Sequence, residues 1–448
     1  MSIYSYKLGD YHAIKTAEIN IDGITVLAGT NGSGKSTLSR WLYYLVNGAE
    51  MYDKLLFVDF KRKLSRSIQQ KMMVYRDMRR ILGDNTVRTF INASVMSTND
   101  IDQVDYDNDK CTRLVLDAYI HQLNLFCEKL GQFLSDRSDL ARRNRILNFL
   151  GIEEDGNKNL EQLVEDFYDD ELLKANQLTE EMLHNKEIRS ADSFFSLVAR
   201  YYDETDTPPT NIQLEEDGAG LFIGETLGNL YNLQRAVYVD SPMALTIKTA
   251  NNHFWRELHD IVLQDNKELR LEEKKLVRRI QNLLDGNVEM KEAETPFDDN
   301  ELRYISSDGA VNIDIEKTAT GFKTFTYLMR FLQSGTLNEK TLLLIDEPEA
   351  HLHPKWIFDY AHLLVLLNKH LDLKIMIASH NPDMVAALKA VAEKEGMLGK
   401  VHFYLAEQIT ESPHQYSYRD CGQEIAPIFE SFNIALDRIN AYGTGDLQ

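Results

Sequence analysis

The sequence predicts an α/β protein, a head with a mixed, largely parallel sheet whose two halves flank a mostly helical insertion. Three observations carry this. Short apolar runs at 24–28, 341–345 and 374–378 have the composition of strands buried on both faces. A helical pattern over 354–371 separates the last two, which makes a strand–helix–strand repeat. A glycine-rich turn follows the first run and opens a helix over 35–46.

Taken in order, residues 3–24 read as extended, with turn signals at Gly9-Asp10 and Asp22-Gly23. The strand 24–28, the glycine turn and the helix follow. From about residue 97 the character changes. Leu123, Phe126, Leu130 and Phe133 recur at helical spacing, as do Leu160, Leu163, Val164, Phe167 and Tyr168. A loop is expected over 203–217, where Thr207-Pro208-Pro209 sits among acids. Strand character returns at 236–239. A charged helical stretch over 252–284 carries Leu269, Leu276, Ile280 and Leu283 on one face, too short for an extended coiled coil. The expected organisation is residues 1–96 as the N-terminal part of the head, 97–233 as the helical insertion, and 234–448 as the C-terminal part.

Composition narrows the class. With 448 residues, 43% hydrophobic and 27% charged, the chain can bury a large core and is neither disordered nor low-complexity. No apolar run approaches the ~20 residues that span a bilayer, so no membrane role is expected. The first ten residues show no secretory signal. Cys111, Cys127 and Cys421 form no zinc or disulfide pattern, which fits a reducing, cytoplasmic location. Lys plus Arg is 49 against 70 Asp plus Glu, a formal charge of −21 that excludes a uniformly basic nucleic-acid binder. It leaves room for a local basic surface. Between Lys54 and Arg88 stand Lys61, Arg62, Lys63, Arg66, Lys71, Arg76, Arg79 and Arg80, a stretch that is either a DNA contact or a solvated helix face.

Three stretches carry chemistry. Gly29-Thr30-Asn31-Gly32-Ser33-Gly34-Lys35-Ser36 matches the phosphate-loop pattern in full, with Thr37 next to it. Its glycines let backbone N–H groups turn toward a phosphate, and the helix opening at Lys35 presents its positive end to the same anion. Lys35 adds a cation for the β- and γ-phosphates, and Ser36 a hydroxyl for Mg²⁺. The run 342–348 is an apolar strand ending in Asp346 and Glu347. Adjacent acids after a buried strand are costly unless they face a cation or a cleft. Asp346 is expected at the metal and Glu347 as the base that polarises a water. Ser379-His380 ends the next apolar strand, where His380 can contact the γ-phosphate or cap the helix that follows. His351 and His353 have metal-like spacing but no further ligands nearby, so turn contacts are expected of them.

Together these stretches resemble the ABC-type ATPase heads of the SMC, RecF and OLD group. The resemblance rests on residues 24–37, 318–323, 342–354 and 377–382, at both ends of the chain and not in its middle. The run from Asp346 through Glu349 to Pro354 is similar to bacterial defence ATPases, such as those of the Septu and PARIS systems. The resemblance implies that ATP and Mg²⁺ lie between two protomers. Lys35, Ser36, Asp346, Glu347 and His380 would act in cis, and a signature at Thr320, Gly321 and Lys323 in trans. The signature departs from the family pattern at Ala319 and Phe322. Gln69 and Gln70 are the remaining candidates for a glutamine loop. In the run Tyr404-Leu405-Ala406-Glu407-Gln408 no glycine follows the acid, and no Asp-x-Asp appears downstream, so no nuclease is expected within the chain. The resemblance therefore implies a homodimer or higher oligomer through the heads, working with a separate HNH or TOPRIM nuclease in anti-phage defence. The alternative is a RecF/SMC-like ATPase of DNA repair or chromosome maintenance.

Overall fold

The computed structural model describes residues 3–82, 96–107, 110–135, 140–152, 159–240, 253–264, 268–291, 300–350 and 352–432. Two compact units are present, Met1–Glu50 with Tyr202–Gln448, and Met51–Tyr201.

The first unit is built on a ten-stranded sheet. Its opening strands are β1 (Tyr4–Tyr11), β2 (Ile14–Ile21) and β3 (Ile24–Ala28), followed by helix α1 (Lys35–Glu50). The first turn falls at His12-Ala13, three residues beyond the expected Gly9-Asp10, because Asp10 and His12 take the left-handed backbone (φ 50° and 49°) and let the strand run on to Tyr11. After the second unit the chain returns as β4 (Asn211–Glu216), β5 (Ala219–Gly220), β6 (Phe222–Ile223), β7 (Thr226–Leu227) and β8 (Arg235–Val239). The expected loop at 203–217 therefore contains a strand, and β4 pairs antiparallel with β1 from Tyr4↔Glu216 to Gly9↔Asn211.

Beyond α8 (His253–Val262) and α9 (Leu271–Leu284) comes a small antiparallel sheet of β9 (Gly286–Lys291), β10 (Glu301–Ser306) and β11 (Asn312–Asp314). The charged helical stretch expected over 252–284 is thus two helices. Then follow α10 (Thr320–Gln333), β12 (Thr341–Asp346), α11 (Pro354–Leu371), β13 (Lys374–Ser379), α12 (Pro382–Glu395), β14 (Val401–Ile409), β15 (Ser412–Gly422) and α13 (Ala426–Phe432).

The sheet order is β5-β4-β1-β2-β15-β14-β3-β13-β12-β8. From β8 to β14 all pairings are parallel; the remainder is antiparallel except β15 with β2. This is the mixed α/β sheet the sequence predicts. β3, β12 and β13 are buried at every position, which explains their unbroken apolar runs. Full burial of each Leu, Ile or Val contributes about 1.5–3 kcal/mol. α10, α11 and α12 complete this core. Asn47 ties α1 to the start of β8, since its side chain accepts from Ala236 N at 2.8 Å and donates to Ala236 O at 2.9 Å.

The second unit is helical: α2 (Tyr52–Leu82), α3 (Asn99–Asp102), α4 (Lys110–Ser135), α5 (Leu140–Leu150), α6 (Leu160–Ile188) and α7 (Ala191–Tyr201). It runs over 51–201 rather than the expected 97–233. The reason lies in α2, whose Leu56, Phe57, Phe60, Leu64 and Ile68 are buried in the helical bundle. Leu123, Phe126, Leu130 and Phe133 form the buried stripe of α4, and Leu163 and Phe167 that of α6. A buried pair, Lys71 with Glu171, lies among Ser67 and Tyr119 where α2, α4 and α6 meet. Among the described residues no helix is long and apolar enough to cross a membrane.

Candidate functional site

The phosphate loop links β3 to α1. Gly32 and Gly34 have φ of +81° and +93°, which L side chains rarely adopt. At Gly34 a Cβ would also stand 2.6 Å from Ile14, so the loop is pressed against the β1–β2 hairpin. The other side is closed by β14 and β15. A Cβ on Gly29 would meet Ala406 at 2.7 Å, and the Tyr418 hydroxyl donates to Ser33 O at 3.2 Å. Thr30, Asn31 and Ser36 are exposed and Thr37 half-buried. Ser33 is fully buried, and its hydroxyl has no hydrogen-bond partner. Lys35 is buried, with Nζ donating to the carbonyls of Gly29 and Thr30 at 2.9 Å each. Burial lowers its pKa; Glu347, Asp346 and Glu349 counter this by their charge.

Asp346 ends β12 beneath α1. Its carboxylate accepts from Ser39 Oγ at 2.9 Å and from the Tyr238 hydroxyl at 2.8 Å, with the Ser36 hydroxyl nearby. Burial pushes this carboxyl up, and the three hydroxyls hold it down. Tyr238 lies on β8 and is itself packed by Phe254, with ring centroids 5.0 Å apart.

Glu347 turns away from the strand with φ of 47°, its N–H bonded to Ala378 O at 2.8 Å. Its side chain is 41% exposed and lies 3.1 Å from His380 Nδ1. Adjacent parallel strands, β12 and β13, thus deliver the acid and the histidine to one edge. The helix after His380 is capped by Asn381, which accepts from Asp383 N and Met384 N. His380 is therefore not the cap. His353 caps α11 through Lys355 N at 3.3 Å, a turn contact as expected, while His351 lies outside the described residues.

Three neighbours of this site were not anticipated: Tyr238, Ser39 and Glu349. Glu349 is buried to within 3% and accepts from Ser379 Oγ at 2.7 Å and His380 N at 3.2 Å. A third acid directly after the strand was the signal that could have found it.

The signature residues lie at the start of α10. Ala319 is the N-cap and carries no side-chain bond; Thr320 is half-buried. Gly321 is buried beneath Trp356, where a Cβ would meet the ring at 2.7 Å. Lys323 Nζ donates to Glu316 O at 2.9 Å. Gln69 and Gln70 are exposed on α2, in the helical unit. The basic stretch is largely occupied within that unit. Lys61 donates to the carbonyls of Asp102 and Val104, Arg62 to that of Arg200, and Lys63 pairs with Asp59 and Glu181. Arg66 and Arg76 are exposed; 83–88 lie outside the described residues.

A family profile described as AAA ATPase domain matches residues 1–385. The chain belongs to this AAA ATPase domain family. Membership accounts for the phosphate loop and implies nucleotide binding by this ATPase domain. The chain is similar in fold to three solved structures, all at low identity. One is an SMC head bound to the C-winged helix domain of ScpA, with 11% identity over 95% of this chain and 99% of that one, and a TM-score of 0.39. A second is the SMC head domain from Thermotoga maritima, with 9% identity, coverage of 94% and 99%, and a TM-score of 0.37. A third is an ATP-binding cassette of an ABC transporter in its ADP conformation, with 9% identity, coverage of 98% and 99%, and a TM-score of 0.35. No curated protein matches the chain.

The residues present fit Mg²⁺ with nucleotide. Among the described residues no three His, Cys, Asp or Glu side chains form a metal cluster. One buried carboxylate beside the serine hydroxyls of α1, next to a phosphate loop, is the sparse protein donor set that Mg²⁺ takes when phosphate oxygens and waters complete its shell.

Proposed function

We propose that this AAA ATPase domain protein hydrolyses ATP at the edge formed by the phosphate loop, β12 and β13. The observation that carries the reading is the 3.1 Å approach of Glu347 to His380 beside the Asp346 carboxylate. Residues 29–37 would hold the phosphates, with Lys35 leaving its loop carbonyls for the β- and γ-oxygens. Ser36 and Asp346 would hold Mg²⁺, which supplies charge neutralisation to the phosphates. Glu347, the exposed carboxylate, takes a proton from the water whose oxygen attacks the γ-phosphorus, and ADP leaves. His380 holds Glu347 in place. The start of α10, with Ala319 exposed and Thr320 half-buried, would meet nucleotide on a second copy; Gly321 and Lys323 then act by shaping that helix start.

The setting we propose is RecF/SMC-like work on DNA, with Arg66 and Arg76, exposed on α2, as the cations open to a duplex. A phage-defence role with a separate nuclease has no support among the comparisons. The test is ATP turnover by the purified chain beside Glu347→Gln and Lys35→Ala. Turnover should fall by about 10²-fold or more in Glu347→Gln, with nucleotide binding retained, and binding itself should weaken in Lys35→Ala. Equal turnover in wild type and Glu347→Gln would sink the assignment. Duplex affinity, measured against salt with ATP present, then decides the setting; no salt-dependent binding would remove the DNA reading.

A further inference from the structure

The carboxyl group of Glu349 is unaccounted for by these roles. It sits in the turn after β12, where Leu352 N bonds to Glu349 O at 3.0 Å, and its side chain is 3% exposed. Oε1 accepts two hydrogen bonds from the end of β13, at Ser379 Oγ and His380 N, and lies 3.8 Å from His380 Nδ1. Oε2 is buried with no hydrogen-bond partner among the described residues. A buried carboxyl oxygen without a partner is costly, because it has given up its hydrogen bonds to water. A residue selected for stability alone would be apolar or fully satisfied here. The two hydrogen bonds that the Glu349 side chain accepts both come from the Ser379–His380 corner, one from the Ser379 hydroxyl and one from the His380 N–H.

We propose that Glu349 is a positioning residue for ATP hydrolysis: it fixes the Ser379–His380 corner so that the imidazole meets Glu347. Glu347 cannot do this alone, since it is 41% exposed and stands on a left-handed residue. With Glu349 in place, Nδ1 lies between two carboxylates and its shorter approach, 3.1 Å, is to the exposed one. The inference rests on the reading of Glu347 as the base.

Glu349→Gln keeps an oxygen acceptor of the same reach; Glu349→Ala removes it. In Glu349→Ala, kcat should fall by about tenfold or more, because misplacement by ~1 Å can cost up to ~10²-fold. KM and nucleotide affinity should stay near wild type. Glu349→Gln should restore kcat to within a few-fold. In a His380→Ala background the two substitutions should have no further effect, because Glu349 acts through the histidine. Wild-type kcat in Glu349→Ala, or an equal loss in the His380→Ala background, overturns the proposal. Should Glu349→Ala not fold, Glu349→Asp, which withdraws the acceptor by one methylene, takes its place. If Glu347→Gln hydrolyses like wild type, the base assignment has failed instead. Crystal structures of the variants still decide the positioning role. If the His380 ring still meets Glu347 in Glu349→Ala, the role is refuted. If the ring swings away from Glu347 there but stays beside it in Glu349→Gln, the role is supported.

Discussion

The Asp346 carboxylate is held by three hydroxyls from two other elements, and each has a measurable share. Tyr238→Phe removes one donor and leaves Oδ2 buried without it, at a cost of about 1–3 kcal/mol. The melting midpoint should fall by a few degrees. Because the tyrosine draws the Asp346 pKa down against burial, its loss should also move the acidic limb of ATP turnover to higher pH. An unchanged limb with an unchanged midpoint would contradict this role. Lys35 and Asp346 were legible in the sequence because each lies in a contiguous motif after an apolar run. Tyr238 was not, since 108 residues separate it from its partner and the apolar run around it marks only a buried strand. Gly321 shows the limit of motif reading at this scale. The resemblance set Gly321 against the nucleotide of a second copy, whereas the ring of Trp356 covers the glycine.

Elements were legible where burial left a local signature. β3, β12 and β13 announce themselves because both faces are covered. α2 was misplaced because its cations read as an isolated basic face, yet its apolar stripe belongs to the helical bundle. β4 was hidden because its partner is the first strand of the chain, and no local pattern encodes a pairing such as Tyr4↔Glu216. The turn between β2 and β3 offers a test of a different kind. Asp22 meets His402 of β14 at 3.3 Å and Lys400 at 3.1 Å. The His402 hydrogen bond lowers the Asp22 pKa, and the Asp22 hydrogen bond raises that of His402. The raised histidine contributes stability that is full below the ordinary imidazole range and lost as pH rises through the raised value. The lowered aspartate contributes above the ordinary carboxylate range and loses it as pH falls through the lowered value. The pair is thus at full strength near pH ~5–6. Replacing His402 by Gln should cost about 0.5–1 kcal/mol there, since the pair is partly exposed, and less at pH ~9. Thermal melts at both values check this; a loss as large at the higher pH would contradict an ionic contribution.

At the scale of the whole molecule, the proposed hydrolysis site, at the C-terminal ends of β12 and β13, is open on its outer side. Glu347 and His380 are 41% and 42% exposed, and a base that must exclude bulk water to be efficient gains from a cover. The start of α10 can supply one from a second copy, because Ala319 is exposed and Thr320 half-buried while Gly321 and Lys323 are tied into their own chain. Two copies related by a two-fold axis would then cover each other's nucleotide, a closed arrangement that cannot extend into a filament. Closure should depend on intact ATP, so slowing hydrolysis should trap it. Glu347→Gln with ATP and Mg²⁺ should therefore run at twice 51.6 kDa in light scattering, and return to the single mass with ADP. Adding Thr320→Arg should prevent doubling while leaving nucleotide binding by the single chain intact, because among the described residues no hydrogen bond joins Thr320 to residues 29–37. A mass that stays at 51.6 kDa with ATP bound would confine the chemistry to one protomer. A doubled mass indifferent to nucleotide would make ATP irrelevant to assembly.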